Sequence, residues 1–216
     1  MKIDLKLFSF LICFTALPTQ AAVLYSQPYD GSTSAYASQN DTTGGNGNFA
    51  TAYDNFTLAT SANITGVQWT GGYFGGSPAS ISDFTIQLWA DNAGQPGASL
   101  LSQSGFGSAN ETLLSGEIYT YAVALPSSFL AQAGTQYWLS IVPDLGYPPQ
   151  WGWATATGGD GVAYQDFLGT RSSLATTDFA FSLTGTAVPE PTTILLFGTG
   201  LIGLIGANRR RQKIDA

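Results

Sequence analysis

Apolar residues follow two different rhythms along this chain. Residues 7–17 and 192–207 are continuous apolar blocks near the two ends, whereas between them apolar and polar positions alternate. In residues 81–89, Phe84, Ile86 and Leu88 fall on one face and Thr85, Gln87 and Trp89 on the other, the two-residue period of a half-buried strand. The same period recurs in residues 67–70, 119–125, 137–141 and 179–183. Turn-forming clusters separate these runs: Gly71-Gly72, Asp91-Asn92-Ala93-Gly94, Pro96-Gly97, Ala133-Gly134-Thr135, Pro148-Pro149 and Gly158-Gly159-Asp160-Gly161. The pattern predicts about nine or ten short strands and an all-β fold, an antiparallel β-sandwich of jelly-roll type. One short helical turn is expected at 127–132, closed by Gly134. No repeat of fixed period occurs, which disfavours a solenoid or propeller.

The two apolar blocks read as targeting segments. Lys2 and Lys6 precede the first, and Pro18-Thr19-Gln20-Ala21-Ala22 closes it with small residues, the order of a cleavable signal peptide spanning 1–22. Its core of about ten residues is short of the about 20 that a bilayer requires. The second block, 192–208, runs into Arg209, Arg210, Arg211, Gln212 and Lys213. Guanidinium groups cannot cheaply enter hydrocarbon, so this is a single transmembrane helix with a cytoplasmic stop at 209–213. The segment between, 23–187, has the length of one exported domain. Cys13 lies inside the signal segment after Ile12, where a lipoprotein signal would have a small residue, so the mature chain is expected to hold no cysteine.

Charge divides along the same boundaries. Six of the seven basic residues sit in the targeting segments, leaving Arg171 against eleven acids in the domain: Asp30, Asp41, Asp54, Asp83, Asp91, Glu111, Glu117, Asp144, Asp160, Asp166 and Asp178. Such a surface excludes nucleic-acid binding through phosphate contacts. It leaves divalent cations or neutral polymers as partners, or an acidic surface that serves solubility alone. The chain has no histidine, which removes histidine triads and imidazole metal sites. Carboxylate chemistry remains: a glycosidase needs two acids roughly 5 to 10 Å apart, and no spacing here singles out a pair. Asp91 and Asp160 are candidate calcium ligands from loops, and equally candidate turn formers. Gly198-Thr199-Gly200-Leu201-Ile202-Gly203 matches the dinucleotide-binding pattern, but the chain ends before the helix, second strand and acid that the pattern needs, so no nucleotide is expected.

Trp69 shares a face with Val67 and reads as core. Trp89 and Trp138 fall opposite the apolar faces of their strands, and Trp151 and Trp153 project together around Gly152. Indoles on an open sheet face can stack on sugar rings, which makes these four candidate carbohydrate platforms; the alternative is that they cap the core.

The tail Val188-Pro189-Glu190-Pro191, followed by 192–208 and Arg209-Arg210-Arg211, resembles the PEP-CTERM sorting signal of exported bacterial proteins. The resemblance covers residues 188–213 and implies recognition of Pro189, Glu190 and Pro191 by exosortase, a membrane protease, after export and removal of the leader by signal peptidase. It also implies a setting of exopolysaccharide production in Gram-negative bacteria. FTIQLWADNAGQPG from Phe84 and QYWLSIVPD from Gln136 look like ectodomains found upstream of such tails, which bring no activity with them. Triplets of N-x-S/T type at Asn40, Asn55, Asn63 and Asn110 are chance occurrences in that setting. The expectation is an inner-membrane-anchored precursor that becomes a cell-surface or matrix protein, non-enzymatic and without cofactor, able to bind exopolysaccharide. A secreted hydrolase with paired carboxylates and a calcium-stabilised adhesion module are the alternatives.

Overall fold

The computed structural model describes residues 21–188. The expected signal core, the Pro189-Glu190-Pro191 motif, the expected transmembrane segment and the Arg209-Arg210-Arg211 cluster lie outside the described residues. Among the described residues fourteen strands form: β1 (Ala22–Gln27), β2 (Ala35–Ala37), β3 (Gln39–Asp41), β4 (Gly47–Thr57), β5 (Ala62–Phe74), β6 (Asp83–Asp91), β7 (Pro96–Gln103), β8 (Thr112–Ser115), β9 (Ile118–Ala131), β10 (Gln136–Asp144), β11 (Gln150–Ala154), β12 (Val162–Phe167), β13 (Thr170–Ala175) and β14 (Phe181–Ala187). Two seven-stranded sheets result, antiparallel apart from a single parallel pairing of β3 with β10. They face each other across an apolar core, consistent with a β-sandwich.

The first sheet is organised on β5. Its one edge carries β9 along the whole length, while β14 and then β11 share the other, at Ala62 to Trp69 and Gly71 to Phe74 respectively. Gly71 permits that junction, because a methyl group there would overlap the Trp151 indole and lie 2.7 Å from the Gly152 carbonyl oxygen. The helical turn expected at 127–132 is instead the end of β9. Phe129, Leu130 and Ala131 pair with Ile64, Asn63 and Ala62 beyond a register shift in which β9 carries the extra residues, and this ladder supplies the backbone hydrogen bonds a helix would have supplied.

Alternation within the second sheet follows the sequence at β6, where Phe84, Ile86 and Leu88 are buried in the core and Thr85, Gln87 and Trp89 are half-buried. Strand β10 departs from it, being buried on both faces from Tyr137 to Pro143. The cause is a roll of the sheet. Its edges are β13 and β7; β4 also pairs directly with β10, so the shortest path between the edges crosses five strand gaps of about 4.8 Å, about 24 Å in a flat sheet. Arg171 on β13 nevertheless donates from Nη1 to the Pro96 carbonyl of β7 at 2.8 Å, with its guanidinium 5.1 Å from the Tyr53 ring centroid. Bidentate hydrogen bonds to Asp166 (2.7 and 2.8 Å) hold it there. The roll encloses the outer face of the sheet and creates a second apolar layer of Tyr53, Trp89, Trp138 and Tyr164.

Candidate functional site

The tryptophans singled out in the sequence have no open faces to offer a sugar, with Trp89 the partial exception. Trp138, Trp151 and Trp153 are 0% exposed. Trp138 lies under the roll, edge-on to Tyr164 and donating to Asp91 at 2.9 Å. Trp151 and Trp153 do project to one side of β11, but that side is the main core: Trp151 donates to the Tyr121 hydroxyl at 3.1 Å, and Trp153 stacks on Phe179 and donates to the Ala180 carbonyl at 3.0 Å. Trp89 is half-buried against Tyr53, with its indole N–H on Ser140 at 3.0 Å. The correction is physical: the phase of a strand says which face a side chain takes, and here distant chain covers both faces.

Exposed aromatic surface occurs elsewhere. A cleft of about 330 Å³ is lined by Asn46, Phe49, Tyr147, Gln150, Phe167 and Leu168. Phe49 begins the inner part of β4 and meets Tyr147 and Phe167 edge-on, at 5.9 and 6.2 Å between centroids. Tyr147 is 53% exposed and Leu168 73%. Leu168 and Gly169 make the two-residue turn between β12 and β13, both at positive φ (49° and 81°). A bulky residue in the left-handed region costs about 1–2 kcal/mol, and the strain here puts an apolar side chain on the rim of the cleft. Leu168 N–H donates to the Phe49 carbonyl at 2.8 Å, which ties the turn to the β4 wall.

Asp41 organises the polar side of the cleft. Its buried carboxylate accepts hydrogen bonds from the Gly44 N–H and the Asn46 side-chain amide. The Gly44 N–H foremost, with Asn46 and the Tyr147 backbone, holds it below the ordinary carboxylate value. The Tyr147 hydroxyl and the Gln150 amide make no hydrogen bond to another group among the described residues, and no charged side chain lines the cleft. Phe49, Tyr147, Phe167 and Leu168 were not singled out in the sequence. The available signal was large apolar residues beside turn residues, in Tyr147-Pro148-Pro149 and Phe167-Leu168-Gly169, where burial by a neighbouring strand is least expected.

A trough of about 460 Å³ crosses the outer face of the first sheet over polar residues that include Gln68, Thr70, Thr120 and Ser182. Neither concavity is lined by a carboxylate. Asp54, fully buried, accepts from the Asn55 N–H at 2.7 Å and from the Phe179 N–H. Burial pushes it well above the ordinary value, and Asp178 and Asp160 add to the shift; Asp178 is itself raised, chiefly by burial. Asp91 and Asp160 act as turn formers. Asp91 accepts from the Gly94 N–H and from Gln136 and Trp138, and Asp160 accepts from the Val162 N–H and Asn55.

Residues 103–184 match a Domain of unknown function (DUF7901), which covers Tyr147, Gln150, Phe167 and Leu168 but not Asn46 or Phe49. No curated protein matches the chain. Residues 187–211 match the PEP-CTERM protein-sorting motif, and the chain therefore carries the sorting signal of an exported protein that is membrane-anchored as a precursor and processed through exosortase.

Proposed function

We propose that the domain is a non-enzymatic surface or matrix protein that binds a neutral polysaccharide through the Phe49–Tyr147–Phe167 cleft. The observation that carries this reading is an uncharged cleft of exposed and half-buried aromatic rings, flanked by a phenol and an amide with no hydrogen-bond partner among the described residues, on a domain whose other charge is almost all negative. Aromatic faces take the apolar C–H face of a pyranose, and the free polar groups take its hydroxyls. An anionic polymer would meet the acids of the domain without compensation. A glycosidase must place two acids at its sugar, and the lining of this cleft has none, so the sugar site proposed here is one for binding. Asp91 and Asp160 already satisfy turns, so the reading needs no calcium.

Affinity electrophoresis of the purified protein through gels containing dextran or alginate tests it, with and without EDTA. Retardation is expected in dextran, with EDTA having no effect. An aromatic side chain buries on the order of 200 Å² when fully covered. A sugar covering about 60 Å² of Tyr147 then contributes about 1.5 kcal/mol at ~25 cal/mol/Å². Tyr147→Ala and Phe167→Ala should each weaken binding about tenfold. Equal retardation of these variants and the parent would overturn the assignment to this cleft.

A further inference from the structure

We infer that the cleft stands at the membrane-distal end of the domain, so that the anchored precursor already presents it outward. This rests on the polysaccharide reading for its function, but its geometry is independent of any ligand. Strand β14 ends at Ala187, paired with Ala62 at the start of β5, and Val188 N–H donates to the Ser61 carbonyl at 2.8 Å. The tail therefore leaves the fold at the β5 start. The signal segment joins at the same place, because Ala22 at the start of β1 pairs with Gly185. At the far end of β5, Phe74 pairs with Gln150 of the cleft. Twelve residue steps separate Ala62 from Phe74, and at about 3.3 Å each they amount to about 40 Å.

The second sheet agrees. Strand β4 ends at Thr57, which a short connection joins to the β5 start, so its beginning, with Asn46 just before it and Phe49 within it, lies at the distal end. Phe167 pairs with Ala50 there. Between Val188 and Thr192 the chain has three residues, which reach at most about 14 Å however they are arranged. The tether is then shorter than the domain and keeps the tail end, rather than the cleft, next to the bilayer. Glycan capture need not wait for processing.

The test uses the full chain in liposomes carrying a headgroup energy-transfer acceptor. Cys13 is replaced by Ser, and one dye is placed through Val23→Cys, 66% exposed at the tail end, or through Leu168→Cys on the cleft rim. Strong transfer from position 23 and loss of most of it from position 168 is the expected result. Equal or stronger transfer from 168 overturns the inference. In a second arm, fluorescent dextran is titrated onto the anchored chain and onto the processed form, and affinities within about twofold are expected, a difference below 0.5 kcal/mol. Binding by the processed form alone overturns the outward presentation. Failure of both forms overturns the polysaccharide reading, while the dye arm still decides the orientation.

Discussion

Replacing Arg171 by Met should loosen the rolled sheet without touching the main core. Three interactions would be lost. The bidentate pair with Asp166 has about a third of each side chain exposed (36% and 32%), so screening limits it to about 1 kcal/mol. The hydrogen bond to the Pro96 carbonyl adds about 1 kcal/mol, and the contact over Tyr53 about 0.5 kcal/mol. Packing of the Met stem on Tyr53 recovers a few tenths, which leaves a loss of about 2 kcal/mol. For a domain of this size that lowers the Tm by about 4–8 °C. Urea titration followed by tryptophan emission measures the loss, and acrylamide quenching reports Trp138, which the roll now shields completely. Asp166→Asn is the companion variant: it removes the ion pair but leaves the hydrogen bond to Pro96, so it should cost about half as much and leave quenching unchanged. A loss below about 0.5 kcal/mol for Arg171→Met, with quenching also unchanged, would refute the claim that this side chain closes the sheet.

Three further predictions concern other parts of the chain. Gly71→Ala forces a methyl group into the Trp151 indole at the β14–β11 junction and should cost about 3 kcal/mol, read as a fall in urea midpoint at constant slope. Asp54 and Asp178 have folded values above the ordinary 3.8, so the native state holds protons that the unfolded chain releases. Stability should rise as pH falls from neutral through those values and be greatest near 4; below that, Asp41, Asp83 and Asp166, whose folded values are depressed, lose their contribution. A urea midpoint that declines steadily from pH 7 to 4 would contradict this balance, whereas Asp54→Asn should flatten the upper limb. Replacing Arg209, Arg210 and Arg211 by Ser should leave the precursor misoriented or secreted without processing, visible as loss of the processed band in fractionated cells; unchanged processing would count against the stop function.

Local information carried far in this protein. The Pro-Glu-Pro, apolar, arginine order of the tail depends on sequence neighbours alone, and the family match at 187–211 falls on it. Strand β6 was legible for the same reason, since a period of two is written in adjacent residues. The end of β9 was not, because the pairing that makes it a strand comes from β5, more than sixty positions earlier.

What tertiary structure alone decided is which of two faces is covered. Trp138 sits on the nominally outer face of β10, yet it is sealed by a contact between Arg171 and Pro96 that no window of sequence contains. The cleft likewise draws on residues 46–49, 147–150 and 167–168, brought together by three separate turns at one end of the sandwich. Periodicity fixes the direction of a side chain relative to its own strand; burial depends on chain that arrives from elsewhere, and so the sorting tail was readable from the sequence while the aromatic cleft was not.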